Sequence, residues 1–198
     1  MKKLAFVLLA GFSFATAHAQ LAFGIKGGAN ISNVNGSDVS GTNSLVGFNA
    51  GLYLMLPVAH HVSIQPELVY SGQGFKETSG GVTTTQHENY INIPVLLKVH
   101  FAGLFAETGP QVGFLTTAKV SQQGVSVDDK GSFNSADFSW VLGAGVKIPA
   151  TPISIDARYN FGLSNIINNG NSGGDNSSAH NGSFQIGVMI RLFSAPIR

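Results

Sequence analysis

The sequence predicts an all-β protein: an eight-stranded antiparallel up-and-down transmembrane β-barrel. From residue 21 onward, apolar residues alternate with small or polar ones in segments of about ten residues, which is the period of a β-strand. The connections between these segments are long and short in turn, and one of the two strand faces carries no charge. These properties are typical of bacterial outer-membrane barrels, which have short periplasmic turns and longer extracellular loops.

The first 19 residues have the composition of a secretory signal peptide. Lys2 and Lys3 precede an apolar stretch, and Ala17-His18-Ala19 has the small-x-small pattern that precedes a cleavage site. We therefore expect residues 1–19 to be removed, and residues 20–198 to form one β-barrel domain. The apolar stretch is too short to span a bilayer as a helix, and we expect no transmembrane helix elsewhere.

Eight strands are expected in the exported chain, over residues 21–31, 45–56, 61–71, 89–100, 103–116, 136–148, 152–162 and 183–193. The connection "SNVNGSDVSGTNS" after the first strand is long, "PVAHH" after the second is short, and the alternation continues to the last one. In an up-and-down meander every second connection lies at the same end. Four long connections rich in Gly, Asn and Ser therefore gather at one end, where we expect mobile extracellular loops.

The two faces of the strands predict which surface meets lipid. A charged residue on a lipid-facing position costs roughly 2–4 kcal/mol near the membrane midplane, so we expect the charge-free apolar face to point outward. The opposite face holds small residues and nearly all strand charges, and we expect it to line the lumen as a paired charge network: Lys26, Glu67, Lys98, Glu107, Asp137, Lys147, Asp156, Arg158 and Arg191.

The stretch "YINIPVLLKVH" at 90–100 shows both faces in one strand. Its Lys98 is expected to pair with Glu67 and Glu107 on the neighbouring strands. Its Pro94 cannot donate to a strand ladder, and we expect a bulge there.

The aromatic residues of the apolar face lie mostly toward the long-loop ends of their strands, which predicts an interfacial girdle in contact with lipid. Its members are Phe48, Tyr70, Phe114, Phe138, Trp140, Tyr159, Phe161 and Phe184. A soluble barrel would turn the same two faces the other way, with the apolar face inside. The low content of charged residues, 11%, favours the membrane alternative.

The composition also limits the classes of function. A net charge of +1 with dispersed Lys and Arg gives no reason to expect a nucleic-acid partner. The chain has no cysteine, so no disulfide framework holds it together. We assign no catalytic residue, no metal site and no cofactor.

Six motifs occur in order along the chain: "FGIKGGANIS" at 23–32, "PELVYSGQG" at 66–74, "YINIPVLLKV" at 90–99, "GPQVGFL" at 109–115, "WVLGAGV" at 140–146 and "ARYNFGLSNI" at 157–166. Together they resemble the PorT-like outer-membrane β-barrel family of Bacteroidota. The resemblance implies an eight-stranded barrel in the outer membrane. Family chains usually end at a strand-terminal aromatic, whereas here Phe193 is followed by "SAPIR".

An eight-stranded barrel leaves a lumen just wide enough to be filled by side chains. We therefore expect a monomeric barrel that is not an enzyme and has a structural, adhesive or envelope-partner-binding role through its loops. Its expected contacts are outer-membrane lipid and, during biogenesis, the barrel-assembly machinery. Two alternatives remain open: a narrow channel or small-solute transporter, and a rim hydrolase using loop residues among His87, Glu88, Asp175, Ser177, Ser178 and His180.

Overall fold

The computed structural model describes residues 20–36, 42–79, 82–122, 125–128, 134–164 and 179–196; the predicted signal peptide lies outside them. The strands are β1 Gln20–Gly36, β2 Thr42–Ala59, β3 Val62–Ser79, β4 Val82–Phe101, β5 Leu104–Gln122, β6 Val125–Asp128, β7 Ala136–Lys147, β8 Ile153–Gly162 and β9 Ala179–Pro196. No helix in these ranges is long and apolar enough to cross a membrane.

Eight of these strands close into a ring, and all pairings are antiparallel. Strands that follow each other in the chain are paired, except for β6 and β7: each of these two strands pairs with β5. The ring closes between the first and last strands, from Gln20↔Pro196 to Gly36↔Ala179. The predicted eight-stranded up-and-down barrel is thus confirmed. A closed ring gives each strand of the wall a hydrogen-bonding partner on both sides, which a membrane-spanning sheet needs.

The strands are longer than predicted at the long-connection end. β3 and β4 remain paired from Gln73↔Glu88 to Ser79↔Val82, over residues that we expected to form a mobile loop. That loop prediction was wrong for these residues because Thr and Val, which are common there, suit strands, and the neighbouring chain offers a ladder. The short β6, which we did not predict, pairs with β5 from Lys119↔Asp128 to Gln122↔Val125.

The apolar face points away from the lumen. Phe48 is 60% exposed, Leu142 55% and Ile186 52%, whereas lumen residues such as Asn30 and Gln65 are 0% exposed. This arrangement is the inverse of a soluble protein, in which the apolar side chains would form the core. The soluble-barrel alternative is therefore excluded.

Pro94 lies in β4 without the predicted bulge. The β3–β4 register is the same at Pro66↔Val95 and at Val69↔Asn92, and only the pairs between them are missing. The single register shift between β4 and β5 falls elsewhere, at Asn89/Tyr90. The wall accommodates Pro94 by leaving out ladder bonds, because proline has no N–H to donate.

Candidate functional site: the filled lumen

Six of the nine predicted lumen charges meet in one group, which we call the central charge cluster: Lys26, Glu67, Lys98, Glu107, Asp156 and Arg158. They come from β1, β3, β4, β5 and β8, and each is at most 5% exposed. Three are basic and three acidic, so the formal charges sum to zero. A buried charge is costly unless it is paired, and this group satisfies that condition.

Arg158 is the centre of the cluster. Its Nη1 and Nη2 each lie 2.8 Å from a different oxygen of Glu67, so the two groups form a bidentate pair across the lumen. Its Nε contacts the carboxylate of Glu107 and lies 2.6 Å from Asp156 Oδ2. One guanidinium thus contacts three carboxylates, which its planar fork of five donors permits and a lysine could not reproduce.

The two lysines complete the charge balance. Lys26 Nζ lies 3.5 Å from Glu67 Oε2 and 3.5 Å from Asp156 Oδ2. Lys98 Nζ lies 3.0 Å from Glu107 Oε2 and 4.0 Å from the centre of the Phe105 ring. Lys98 is not paired with Glu67, contrary to our expectation. It stands opposite Glu107 on β5 but opposite Ser63 on β3, four residues from Glu67.

Glycines on β7 make room for these long side chains. Gly143 stands opposite both Glu107 and Arg158 on the two neighbouring strands. A Cβ at Gly143 would lie 2.9 Å from Arg158 Cγ and 3.0 Å from Glu107 Oε1. The "GAG" of the sequence is therefore a packing feature of the cluster.

The other three predicted charges lie outside the cluster. Asp137, at the start of β7, accepts a hydrogen bond from Ser164 Oγ at 2.6 Å. Lys147 and Arg191 lie at the short-turn end and have no ion pair with any residue that the structure describes. A single network of nine charges is therefore wrong: the cluster accounts for six.

Neutral polar side chains fill the lumen on the long-connection side of the cluster. Asn30 Nδ2 donates to Ser71 Oγ at 2.8 Å and Gln111 Nε2 to Ser139 Oγ at 3.0 Å. Asn160 Nδ2 donates to Ser183 Oγ at 2.9 Å. Each of these residues is buried, so the alternate positions of the strands supply an amide and hydroxyl layer above the charges.

On the short-turn side the cluster rests on Tyr53, Phe105 and Met189, three buried residues in mutual contact. We did not single these residues out from the sequence. Their inward positions follow from strand parity, since Tyr53 and Phe105 alternate with the outward apolar residues, but nothing in the pattern showed that they would pack together.

Below this layer lies a cavity of about 120 Å³, the mouth cavity, with Tyr53, Phe105 and Met189 as its floor. Its polar lining includes Lys98, His100, Lys147, Ser154 and Arg191. A second space, on the other side of the central charge cluster, has only about 10 Å³. The cluster separates the two, so they do not form a continuous passage through the described part of the barrel.

The predicted girdle residues lie on the outer surface. Seven of them, all except the half-exposed Tyr70, are 37–60% exposed. They follow one another across the sheet: Trp140 stands opposite Phe161, and Tyr159 opposite Phe184. The ring centres of Phe48 and Tyr70 are 5.4 Å apart. Three more outward aromatics at the short-turn end were not in our prediction, namely Phe23, Phe101 and Phe193. Phe23 and Phe193 stand opposite each other.

Three of the residues considered for a rim hydrolase, His87, Glu88 and His180, lie in the described ranges. His87 is exposed on the outer face, whereas Glu88 is buried in the lumen and accepts a hydrogen bond from Tyr90 Oη at 3.0 Å. His180 Nδ1 lies 2.9 Å from the carbonyl oxygen of Ser164. The remaining candidates, Asp175, Ser177 and Ser178, lie outside the described residues. Across the described ranges, no group of three or more His, Asp or Glu residues could hold a metal ion.

Comparison with solved structures finds barrels of similar architecture. The chain is similar to Neisserial surface protein A (NspA), with a TM-score of 0.55 and 12% identity over 86% of this chain and 97% of that one. It also matches Ail, the attachment invasion locus protein of Yersinia pestis, with a TM-score of 0.49 and 18% identity over 89% of this chain and 100% of that one. No curated protein matches the chain.

The family comparison covers most of the chain. Residues 12–168 match the model described as "Outer membrane protein beta-barrel domain". The range takes in β1 to β8 and therefore every ring strand except β9, and it includes every member of the central charge cluster. The chain therefore belongs to the outer membrane protein beta-barrel domain family, which implies a location in the outer membrane.

Proposed function

We propose that the protein is a non-conducting outer-membrane barrel with a structural or adhesive role, which binds a partner through the part that extends outside the membrane. The observation that carries the first half of this proposal is the central charge cluster. Its six buried side chains fill one cross-section of the lumen, and their charges cancel within the barrel. A solute would have to break several buried ion pairs to pass.

The second half rests on the strand extensions beyond the girdle, which we call the outer crown: residues 73–79 of β3, 82–88 of β4, 117–122 of β5, and β6. β3 continues for nine residues past Tyr70, or roughly 30 Å along the strand. The outward side chains of this part include the exposed Lys76, His87 and Lys119. A paired, polar ribbon presents a defined surface at lower entropic cost than a free loop, which favours binding.

The finer assignments follow from the sequence. We propose that the chain is a PorT-like member of the family from a species of Bacteroidota, on the strength of the six ordered motifs, and that residues 1–19 are its signal peptide. We further propose that it is a monomer without enzymatic activity, inserted by the barrel-assembly machinery. Mass spectrometry of the protein from outer membranes tests the cleavage site: an N-terminus at Gln20 is expected, and retention of residues 1–19 would contradict it.

Single-channel recording in planar bilayers tests the filled lumen. The wild-type protein is expected to give no unitary current steps at either polarity, because its cross-section is occupied. The comparison variant combines Glu67→Ala, Glu107→Ala and Arg158→Ala, which removes three central side chains together. It is expected to conduct, provided that a heat-dependent gel shift shows it folded. Steady unitary currents from the wild type would overturn the proposal in favour of a narrow channel.

A pull-down from intact cells tests the outer crown. A variant in which residues 73–88 are replaced by a two-residue turn keeps the barrel wall below the girdle. It is expected to lose the envelope or surface partner that the wild type retains. Equal recovery of that partner by both proteins would show that the crown is not the binding surface.

A further inference from the structure

The mouth cavity carries positive charge that the protein itself does not neutralise. Four of its lining residues are basic, namely Lys98, His100, Lys147 and Arg191, and none is acidic. Lys98 is paired with Glu107 in the central charge cluster. Lys147 and Arg191 have no ion pair within the ranges that the structure describes.

The carboxylates nearest to the cavity do not cancel this charge. Glu67 and Glu107 lie behind the floor of Tyr53 and Phe105, where Lys26, Lys98 and Arg158 already balance them together with Asp156. The two cations of the mouth therefore add to a neutral group. A concave site with cationic walls and a partly apolar floor concentrates anions, because its low-dielectric wall focuses the field.

The short turns hold the backbone of both Arg191 and Lys147. The backbone N–H of Arg191 donates to the carbonyl oxygen of Pro152 at 2.9 Å, and that of Lys147 donates to Gly103 at 2.7 Å. Ser154 stands directly opposite Lys147 on β8 and adds a hydroxyl to the same lining. Arg191, Lys147 and Ser154 thus line one space at the short-turn end of the barrel, which is the periplasmic end in barrels of this kind.

We propose that the mouth cavity binds a small oxyanion of the phosphate or carboxylate class, taken from the periplasm. The forked donors of Arg191 match the paired oxygens of such a group, and Lys147 adds a second positive charge. A volume of about 120 Å³ is the share of roughly four water molecules, enough for one oxyanion with some of its hydration. The central charge cluster closes the cavity on its inner side, so an anion bound there does not pass further into the barrel. The proposal does not depend on the role of the outer crown.

Isothermal titration of the protein folded in detergent micelles tests this site. Inorganic phosphate and acetate are titrated separately, in a chloride background of constant ionic strength. We expect saturable binding at one site for at least one of the two anions, and the stronger binder identifies the class. Arg191→Gln is expected to weaken that binding at least tenfold, whereas Lys76→Gln, an exposed lysine of the outer crown, leaves it unchanged.

Lys147→Gln provides a second variant, since Lys147 is exposed at the end of β7 and its loss leaves the packing of the lumen intact. It too is expected to weaken binding severalfold. Folding of each variant is checked by the heat-dependent gel shift. The proposal is overturned if neither anion gives saturable binding to the wild type, or if the Arg191→Gln/Lys147→Gln variant binds as the wild type does.

Discussion

The sharpest test of the central charge cluster is the replacement of Glu107 by Gln. The six members carry three positive and three negative charges, so this change leaves a net charge of +1 in the buried lumen. Lys98 Nζ would lose its ion pair and keep the Met189 sulfur at 3.9 Å and the Phe105 ring at 4.0 Å as neighbours. Removal of one partner from a buried pair costs about 3–5 kcal/mol. Because the Gln carbonyl can still accept from Arg158, we expect about 3 kcal/mol.

The matching change is Lys98→Met, which leaves a net charge of −1 and is expected to cost a similar amount, about 3 kcal/mol. The double variant restores neutrality. We therefore expect the double variant to be about 2 kcal/mol more stable than the sum of the two single effects predicts. Lys76→Met removes an exposed lysine from the outer crown and serves as the control, with a change of at most about 0.5 kcal/mol.

Equilibrium urea unfolding in lipid vesicles measures these differences. Trp140 is the only tryptophan of the chain and lies 45% exposed on the lipid face, so its fluorescence reports the transfer from lipid to water. The reasoning is refuted if Glu107→Gln changes the free energy of unfolding by less than about 0.5 kcal/mol. It is also refuted if the two single effects simply add, because the charges would then not be coupled.

Two further variants test the packing of the lumen and the assignment of the faces. Gly143→Ala places a methyl group against Arg158 and Glu107 and should destabilise the barrel by about 1–3 kcal/mol. Gly27→Ala is the control and should have little effect, because the added Cβ meets only a carbonyl oxygen at 3.7 Å. Equal unfolding midpoints of the two variants would contradict this. Leu142→Arg puts a charge on the lipid face and should lower the free energy of unfolding by about 2–4 kcal/mol. Val127→Arg, on the exposed β6, is the control and should lower it much less. Equal losses of stability in vesicles would show that the membrane boundary is misplaced.

The wall of the barrel could be predicted from the sequence because strand parity is a local property. Each outward residue, such as Leu97, and each inward one, such as Lys98, is identified by its neighbours alone. The outer crown was harder to predict from the sequence. Residues 82–88 combine Val and Thr, which suit strands, with the polar run Gln-His-Glu, and only the ladder to β3 and β5 shows that all of them are paired.

The candidate site could be predicted in its membership but not in its contacts. Parity placed Glu67 and Arg158 in the lumen, yet they are 91 residues apart and meet across the ring, so no local spacing indicates their bidentate pair. Lys147 and Arg191 have the same parity as the cluster members, and only their height on the strands separates them. That height depends on the register and tilt of each strand, which periodicity does not determine.

The origin of Arg158 in β8 has a consequence for how the molecule assembles. Glu67, Lys98 and Glu107 belong to β3, β4 and β5, and these three alone carry a net charge of −1. Lys26 on β1 balances that charge, but the ion pairs of both glutamates with Arg158 form only when β8 joins from the far side of the ring. A sheet of the first five strands therefore leaves these carboxylates hydrated. The strands that join last replace that water with ion pairs to Arg158. Closure of the ring and dehydration of its interior become a single cooperative event, so a partly inserted chain is not a stable intermediate.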